Sequence, residues 1–226
     1  MVSLQKGAEY GGGAGVRQWG KKAKIARRGA RGIVRRMTAE RATDELMTVA
    51  DYLEWEEGEE QRHEYVGGMV YDMAGSTLAH VAISTNVAVC LGVQLRGKPC
   101  RPFGPDLKVR IQYPTHTRFY YPDCSVVCDV RFSQAHFVDN PVVIVEVLSP
   151  STRRTDESEK REAYLSIGSL RVYVLLEQER AGAVVWRRGD QGFAREVYEG
   201  LEAVIALPEI EARLPLAEAY EAVRFA

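Results

Sequence analysis

The 226-residue sequence lacks any run of about 18 uncharged apolar residues, which is the length a helix needs to span a bilayer. Its N terminus also lacks an apolar stretch followed by a small-residue cleavage site, so we expect no secretory signal. Apolar residues still make up 46% of the chain, which excludes a wholly disordered protein. We therefore expect a cytoplasmic protein with one folded domain and no membrane contact.

Cysteine is also scarce, since Cys90, Cys100, Cys124 and Cys128 are the only four. A chain of this length and apolar content needs no disulfide framework, so we expect reduced, buried thiols. Cys124 and Cys128 are the only close pair in the sequence, but their C-x3-C spacing on a predicted strand is poor for zinc. The cysteines therefore indicate core positions rather than a metal site.

Charge is distributed unevenly along the chain. Residues 1–36 contain ten Lys or Arg and one acid, a net charge of +9, so residues 37–226 must carry −10 to give the total of −1. The first segment is also rich in glycine and has no apolar periodicity. We predict a basic, disordered tail at 1–36 and a folded domain at 37–226. The tail is either an arm that binds phosphates of nucleic acid or an extension without a function.

The folded domain is predicted to be mixed α/β, with a curved mixed sheet flanked by helices. A capping pair, Thr48 and Asp51, predicts one helix start, and Gly67-Gly68 predicts a β-hairpin. Further elements follow from apolar periodicity. They are a helix from Ser76 or Thr77 to Gly97, strands at 106–111, 118–130 and 142–148, a helix at 156–167, strands at 172–176 and 183–186, and a last helical turn near 216–220.

Glu146 is the most informative residue, because it interrupts the otherwise apolar strand 142–148. A buried carboxylate is costly unless it is paired, neutralised or bound to a metal. Asp123 lies on the preceding predicted strand, and consecutive strands often pair. Two neighbouring carboxylates suit Mg²⁺, which binds one or two carboxylates and completes its shell with water or phosphate. The alternatives are a buried salt bridge at Glu146 and a turn aspartate at Asp123.

Lys160 lies on the helix that follows Glu146, beyond a short turn at 149–152. This turn folds the helix back beside the strand, so the ammonium could reach the carboxylates. There it would stabilise negative charge on a phosphate or help to deprotonate water. The alternative is a solvated lysine paired with Asp156, four residues earlier. If the inward face of the helix carries Lys160, we also expect Ala163 and Tyr164 to be buried.

Three segments together closely resemble the Uma-type restriction endonuclease family, a branch of the PD-(D/E)xK nuclease superfamily. They are Tyr121–Val127 (YPDCSVV), Asn140–Thr152 (NPVVIVEVLSPST), and Lys160 with Tyr164. The E-V-L-S-P-S-T run is the most specific of these signals. The resemblance covers roughly residues 37–226.

This resemblance implies a restriction-endonuclease-like fold and Mg²⁺-dependent cleavage of phosphodiester bonds in nucleic acid, with Mn²⁺ as an alternative metal. DNA is the expected substrate, and the sequence leaves RNA open. Carried over to this sequence, Asp123 is the acid of the P-D element and Glu146 is the acid of (D/E)xK, so both would bind the metal. Leu148 stands where most such nucleases have lysine. In this branch the lysine lies on the following helix, where this chain has Lys160.

Glu64 and His80 are two further candidates for the same site. Glu64, on the first strand of the predicted hairpin, is a candidate catalytic acid, because related folds place a glutamate from the N-terminal part near the metal. The alternative for Glu64 is a surface hairpin residue. His80 begins the long helix and could approach the same cleft, but we favour an ordinary structural histidine.

Two functions of different classes remain open at this point. The first is a metal-dependent endonuclease, which the joint presence of Asp123, Glu146 and Lys160 favours. The second is a catalytically weak nucleic-acid-binding or regulatory protein on a nuclease scaffold. The acidic charge of residues 37–226 weighs against a high-affinity nuclease that acts alone, because an acidic surface repels DNA. A structural dimer module is a distant third, and a homodimer is one assembly that the enzyme could adopt.

Overall fold

The computed structural model describes residues 34–35, 46–73, 75–130, 136–150 and 152–225. Most of the predicted tail, residues 1–36, lies outside the described residues. Its exception is a two-residue strand at Val34–Arg35, which pairs in parallel with the strand Met69–Asp72. Among the described helices, none has both the length and the apolar character that crossing a bilayer requires.

The elements of the first half, in chain order, are β1 (Val34–Arg35), α1 (Val49–Glu56), β2 (His63–Val66), β3 (Met69–Asp72), α2 (Leu78–Gln94), β4 (Cys100–Phe103), β5 (Lys108–Gln112), β6 (Thr117–Tyr120), β7 (Cys124–Cys128) and β8 (Phe137–Val138). Those of the second half are β9 (Pro141–Leu148), α3 (Arg153–Thr155), a π-helical turn (Asp156–Lys160), α4 (Arg161–Leu165), β10 (Val172–Glu177), β11 (Gly182–Gly189), β12 (Gly192–Glu199), β13 (Val204–Leu207), a 3₁₀ turn (Pro208–Ile210), β14 (Ala212–Pro215) and α5 (Leu216–Ala219).

Local sequence explains where the first helices and the first hairpin form. The Thr48 hydroxyl oxygen accepts a hydrogen bond from the Asp51 N–H at 3.2 Å, which caps α1 as predicted. Thr77 caps α2 in the same way. Gly67 and Gly68 connect β2 to β3 with φ angles of 58° and 104°, a conformation that other residues rarely adopt.

The strands form two six-stranded sheets and one separate hairpin, β13–β14. The first sheet has the order β1-β3-β2-β6-β5-β8, and the second has the order β12-β11-β10-β9-β7-β4. In the second sheet β9 and β10 are parallel, joined by the helical segment between them, and the other neighbours are antiparallel. Both sheets are therefore built mainly from antiparallel pairs, and the predicted mixed α/β architecture is confirmed.

Strand β9 lies in the interior of the second sheet and is covered on both faces. Val143, Val145 and Val147 pack in one cluster with the inner side of α2. Ile144 and Leu148 pack on the opposite face with Tyr164 of α4. Because side chains alternate along a strand, Glu146 shares the second face and points toward α4. This explains how the sequence can place one carboxylate inside an apolar strand.

One predicted strand, at 118–130, is wrong in its extent, because the structure divides it into β6 and β7. The division falls at Tyr121-Pro122-Asp123, where the chain leaves the first sheet and enters the second. Proline has no N–H to donate to a ladder, so Pro122 ends the pairing of one sheet before the next begins. Strands β1, β4, β8 and β12 were not predicted from the sequence, and only one short strand was expected after Leu201, where β13 and β14 form.

The expectation of four reduced cysteines is also wrong for two of them. Cys100 of β4 and Cys128 of β7 are directly opposite each other in the antiparallel ladder and form a disulfide. Their separation of 28 residues hid this pairing from a reading of sequence spacing. Cys90 and Cys124 are free and buried, as expected.

Candidate active site

The crossing between the two sheets positions Asp123. Its Oδ2 accepts a hydrogen bond from the backbone N–H of Val147 at 2.7 Å, and its Oδ1 lies 2.7 Å from Nε2 of His80. The side chain is 15% exposed, so one part of the carboxylate still reaches solvent. Asp123 is thus held from β9 on one side and from the start of α2 on the other.

Glu146 is held next to Asp123. Cys124 faces Val145 in the antiparallel ladder, so Asp123 and Glu146 are the next facing residues, and the Asp123 N–H donates to Glu146 Oε2 at 3.2 Å. The Tyr164 hydroxyl donates to Oε1 at 3.0 Å. Burial raises the pKa of Glu146 well above its usual range, and Asp123 raises it further, while Lys160 opposes both effects.

Lys160 ends the π-helical turn and points into the same cluster. Its Nζ lies 2.6 Å from Glu64 Oε1, 3.6 Å from Asp156 Oδ1 and 3.9 Å from Glu146 Oε1. It also lies 5.4 Å from the centre of the Tyr120 ring. Burial alone would lower the pKa of Lys160, but the three carboxylates together hold it well above its usual value.

The helical face that was predicted to point inward is buried. Asp156 and Lys160, both titratable, lie on it with the apolar Ala163, Tyr164 and Ile167. The alternative of a solvated lysine is therefore wrong, because Lys160 is buried, although its predicted contact with Asp156 does form beside those to the other carboxylates. Asp156 itself was not considered as a site residue, although its i, i+4 spacing from Lys160 was the available signal. Burial raises the pKa of Asp156, while Lys160 lowers it.

Glu64 reaches the cluster from the other sheet. It lies on β2, is 9% exposed and contacts Lys160, so it is not a surface hairpin residue. Burial raises the pKa of its carboxyl, and the ammonium of Lys160 offsets part of that rise. The ion pair between Glu64 and Lys160 joins the first sheet to the helical segment beside the second sheet.

The donor set fits a hard divalent cation. Three buried carboxylates surround the Lys160 ammonium, and the mostly buried Asp123 lies next to one of them, Glu146. Oxygen is the ligand that Mg²⁺ prefers. No group of three His, Cys, Asp or Glu side chains within the described part of the chain could hold a metal ion by itself. Asp123 and Glu146 would therefore supply two carboxylates, and water or phosphate oxygens would supply the remaining ligands.

Sequence reasoning undervalued His80, which it favoured as an ordinary structural residue. In the structure its ring is 12% exposed and its Nε2 contacts the Asp123 carboxylate. The contact joins residues 43 positions apart, and only the packing of α2 against the second sheet creates it. The available signal was the Thr77 cap, which places His80 in the first turn of α2.

Comparison with known proteins gives a consistent result. Residues 49–217 match the model of the Uma2 family, described as "Putative restriction endonuclease". The chain is 34% identical to the uncharacterized protein slr1290 of Synechocystis over 144 residues, which is 63% of this chain and 74% of that one. It is 29% identical to the uncharacterized protein sll1609 of the same organism over 140 residues, 61% and 78% of the two chains.

A solved structure shares the fold. It is a crystal structure of a "putative nuclease" from Anabaena variabilis, with a TM-score of 0.63 and 18% sequence identity. The match covers 77% of this chain and 97% of the other. The predicted restriction-endonuclease-like fold is therefore confirmed at the level of architecture.

Proposed function

This chain belongs to the Uma2 family, and we propose that it is a metal-dependent endonuclease that hydrolyses phosphodiester bonds of DNA. The observation that carries the proposal is that Asp123, Glu146 and Lys160 come from separate parts of the chain and meet in one mostly buried cluster. A buried charge cluster of this kind is costly for the fold, so its presence favours a function at this place.

In this proposal the carboxylates of Asp123 and Glu146 hold Mg²⁺ or Mn²⁺. When bound, the metal supplies Lewis-acid stabilisation of phosphate charge and lowers the pKa of a coordinated water. The chain's own groups orient the ligands. The Val147 N–H and the His80 ring fix Asp123, while the Tyr164 hydroxyl and the Asp123 N–H fix Glu146. Such supporting contacts keep metal ligands in one geometry.

Lys160 has the role of a cation at the reacting phosphate. Its raised pKa keeps the amine protonated at neutral pH, so it acts as a positive charge and hydrogen-bond donor rather than as a base. It would offset charge on the phosphate or orient the attacking water. Glu64 holds the ammonium at 2.6 Å and so sets its position within the cluster.

The test is cleavage of supercoiled plasmid DNA, and in parallel of a folded RNA, with Mg²⁺ or Mn²⁺ and with a chelator. We expect the protein to nick DNA with either metal and Asp123→Asn to lower the rate by roughly 10²-fold or more, because one metal ligand loses its charge. Asp190→Asn is the matched control, since Asp190 is exposed in the β11–β12 turn. Equal rates for Asp123→Asn and the unaltered protein would refute the proposal.

A second candidate is a nucleic-acid-binding protein that does not cleave. The net charge of −10 over residues 37–226 is the reason to consider it, because an acidic surface repels a polyanion and so weighs against a high-affinity nuclease that acts alone. In the same experiment this candidate predicts metal-independent binding of nucleic acid without cleavage. It also predicts that Asp123→Asn binds as the unaltered protein does.

A further inference from the structure

A cavity of about 530 Å³ lies outside the acidic cluster. It has both polar and apolar walls, and its volume is within the usual range for small-ligand sites. None of the four predicted site residues contributes to its lining. The residues that line the cavity include Glu56, Arg62, Phe103, Gly104, Lys108 and Tyr121.

Lys108 is the unusual group of this cavity. It is 5% exposed, and its Nζ lies 5.3 Å from the centre of the Tyr121 ring and 5.9 Å from that of the Tyr52 ring. Within the described part of the chain, this ammonium has neither a hydrogen bond nor an ion pair. Lysine is rarely buried unless it is paired, and burial lowers the pKa of Lys108.

The other charged groups of the cavity already have partners. Glu56 Oε1 accepts hydrogen bonds from the His63 N–H at 3.0 Å and the Tyr121 hydroxyl at 2.6 Å, and its Oε2 lies 2.9 Å from His63 Nδ1. Arg62 donates to Asp106 at 3.2 and 3.3 Å. Lys108 is therefore the charge that a ligand could neutralise, and one anionic group would do so.

The residues in the wall of the cavity indicate which chemical group the ligand carries besides its anion. Phe103 is partly exposed and supplies aromatic surface to the cavity, whereas Tyr121 is almost fully buried in its wall. Aromatic rings bind the flat faces of nucleobases well. Tyr121 also lies two residues before Asp123, and His63 behind the wall precedes Glu64 on β2. The cavity is thus connected to the acidic cluster through two short stretches of backbone.

We propose that this cavity binds one nucleotide of a nucleic-acid strand, with the phosphate at Lys108 and the base against Phe103. The choice of ligand rests on the proposed function, because a strand cleaved at the acidic cluster would bring neighbouring nucleotides to this side of the sheet. A nucleotide within a strand and a free nucleoside monophosphate present the same base and phosphate, so a free nucleotide would fit the cavity as well.

The test measures binding by calorimetry on the full chain, with a chelator present so that no metal bridges a phosphate at the acidic cluster. The probes are thymidine, thymidine 5′-monophosphate and a ten-residue oligothymidylate. We expect the monophosphate to bind at least about tenfold more tightly than thymidine, because a charged hydrogen bond forms only with the phosphate. Lys108→Met should abolish that difference. Lys98→Met is the matched control, since Lys98 contacts Glu211 and lines no part of this cavity.

A second variant keeps the test valid if Lys108→Met does not fold. A Cβ atom built on Gly104 meets no atom within 4 Å, so Gly104→Trp can fill the cavity without removing a contact. We expect it to weaken the binding of all three probes about tenfold or more. Equal binding of thymidine and its monophosphate, or unchanged binding in Lys108→Met and Gly104→Trp, would overturn the proposal. It would also fail if the oligothymidylate does not compete with the monophosphate, since the ligand would then be a free nucleotide.

These outcomes are separable from those of the cleavage experiment. Nucleotide binding that depends on Lys108, without any cleavage that depends on Asp123, would refute the endonuclease and leave the cavity as a nucleotide site. Cleavage that depends on Asp123, with binding unchanged in Lys108→Met, would refute the cavity proposal alone.

Discussion

At the scale of the residue, Lys160 balances the charge of the acidic cluster. Its ammonium lies within 4 Å of Glu64, Asp156 and Glu146, all of them buried. If Lys160 had a catalytic role alone, its removal would lower turnover and leave the fold intact. The contacts now indicate a cost in stability as well, because carboxylates that lose their cation stay buried without a partner.

We therefore predict that Lys160→Met lowers the free energy of unfolding by about 3 kcal/mol at pH 7, and that adding Glu64→Gln recovers part of this loss. Urea titrations of the two single variants and the double variant measure the coupling. The pKa of Glu64 is raised by burial, so its ionised form is the destabilising one. The loss in Lys160→Met should therefore shrink as the pH falls and Glu64 binds a proton. Strictly additive effects would show that the two side chains do not interact.

The sequence alone identified some of the functional candidates among the residues and missed others. Glu146 was identifiable because a carboxylate inside an apolar strand is exceptional, and Asp123 because a motif surrounds it. His80 and Lys108 carry no such signal, since each is one polar residue in an ordinary local pattern. Their significance comes from contacts with residues that are distant in the sequence, and only the tertiary structure supplies those contacts.

At the scale of the element, the helical segment after β9 shows why the site forms. The sequence predicted a helix from residue 156, but helical structure begins at Arg153 and contains the π-helical turn Asp156–Lys160. A π-helical turn accommodates one extra residue, and such turns are frequent at functional sites. Here it carries both Asp156 and Lys160 into the cluster. Apolar periodicity predicts a helix but does not distinguish a π turn from an α turn, so this detail could not be predicted.

The start of the same segment is fixed by an ion pair. Arg153 donates to both carboxylate oxygens of Glu177 at the end of β10. This hydrogen bonding holds the pKa of Glu177 below its usual range, although burial acts in the opposite direction. The contact ties α3 to the strand beside β9, so it supports the geometry of the acidic cluster from outside.

We predict that Glu177→Gln lowers the free energy of unfolding by about 1–2 kcal/mol at neutral pH. A carboxyl whose pKa is lowered on folding contributes stability above its unfolded pKa and loses it as the pH falls through the folded pKa. The difference between the variant and the unaltered protein should therefore shrink as the pH falls from 7 through the lowered folded pKa of Glu177, which lies below the ordinary value for glutamate. Thermal midpoints across this range provide the measurement. Glu179→Gln, at an exposed position two residues on, should behave as the unaltered protein does.

At the scale of the whole molecule, the division of strands between two sheets determines where the site lies. Asp123 stands where the chain passes from one sheet to the other, Glu64 comes from the first sheet and Glu146 from the second. Sequence patterns predicted most of these strands but not their distribution between sheets. Period-2 alternation shows that a strand has a buried face, but it does not show which sheet the strand joins. The disulfide between β4 and β7 was missed because β4 itself was not predicted, so nothing in the sequence placed Cys100 opposite Cys128.

The charge of the whole chain supports a last prediction, on the role of the N-terminal segment. Residues 1–33 contain eight Lys or Arg and one Glu, a net charge of +7, so the remainder carries −8. An acidic body repels phosphates, so we expect these residues to supply much of the attraction to nucleic acid. Deleting them should weaken DNA binding at low salt and reduce the slope of log K against log salt by several units.

This deletion keeps β1, whose pairing with β3 begins at Val34. We therefore expect the thermal midpoint of the protein without residues 1–33 to stay unchanged, whereas deleting residues 1–36 also removes the β1 pairing and should lower the midpoint. Fluorescence anisotropy with a labelled duplex, between about 50 and 200 mM salt, measures the change in binding. Loss of affinity at low salt with an unchanged midpoint would identify the segment as a phosphate-binding arm. The same affinity at every salt concentration would instead identify an extension that takes no part in binding.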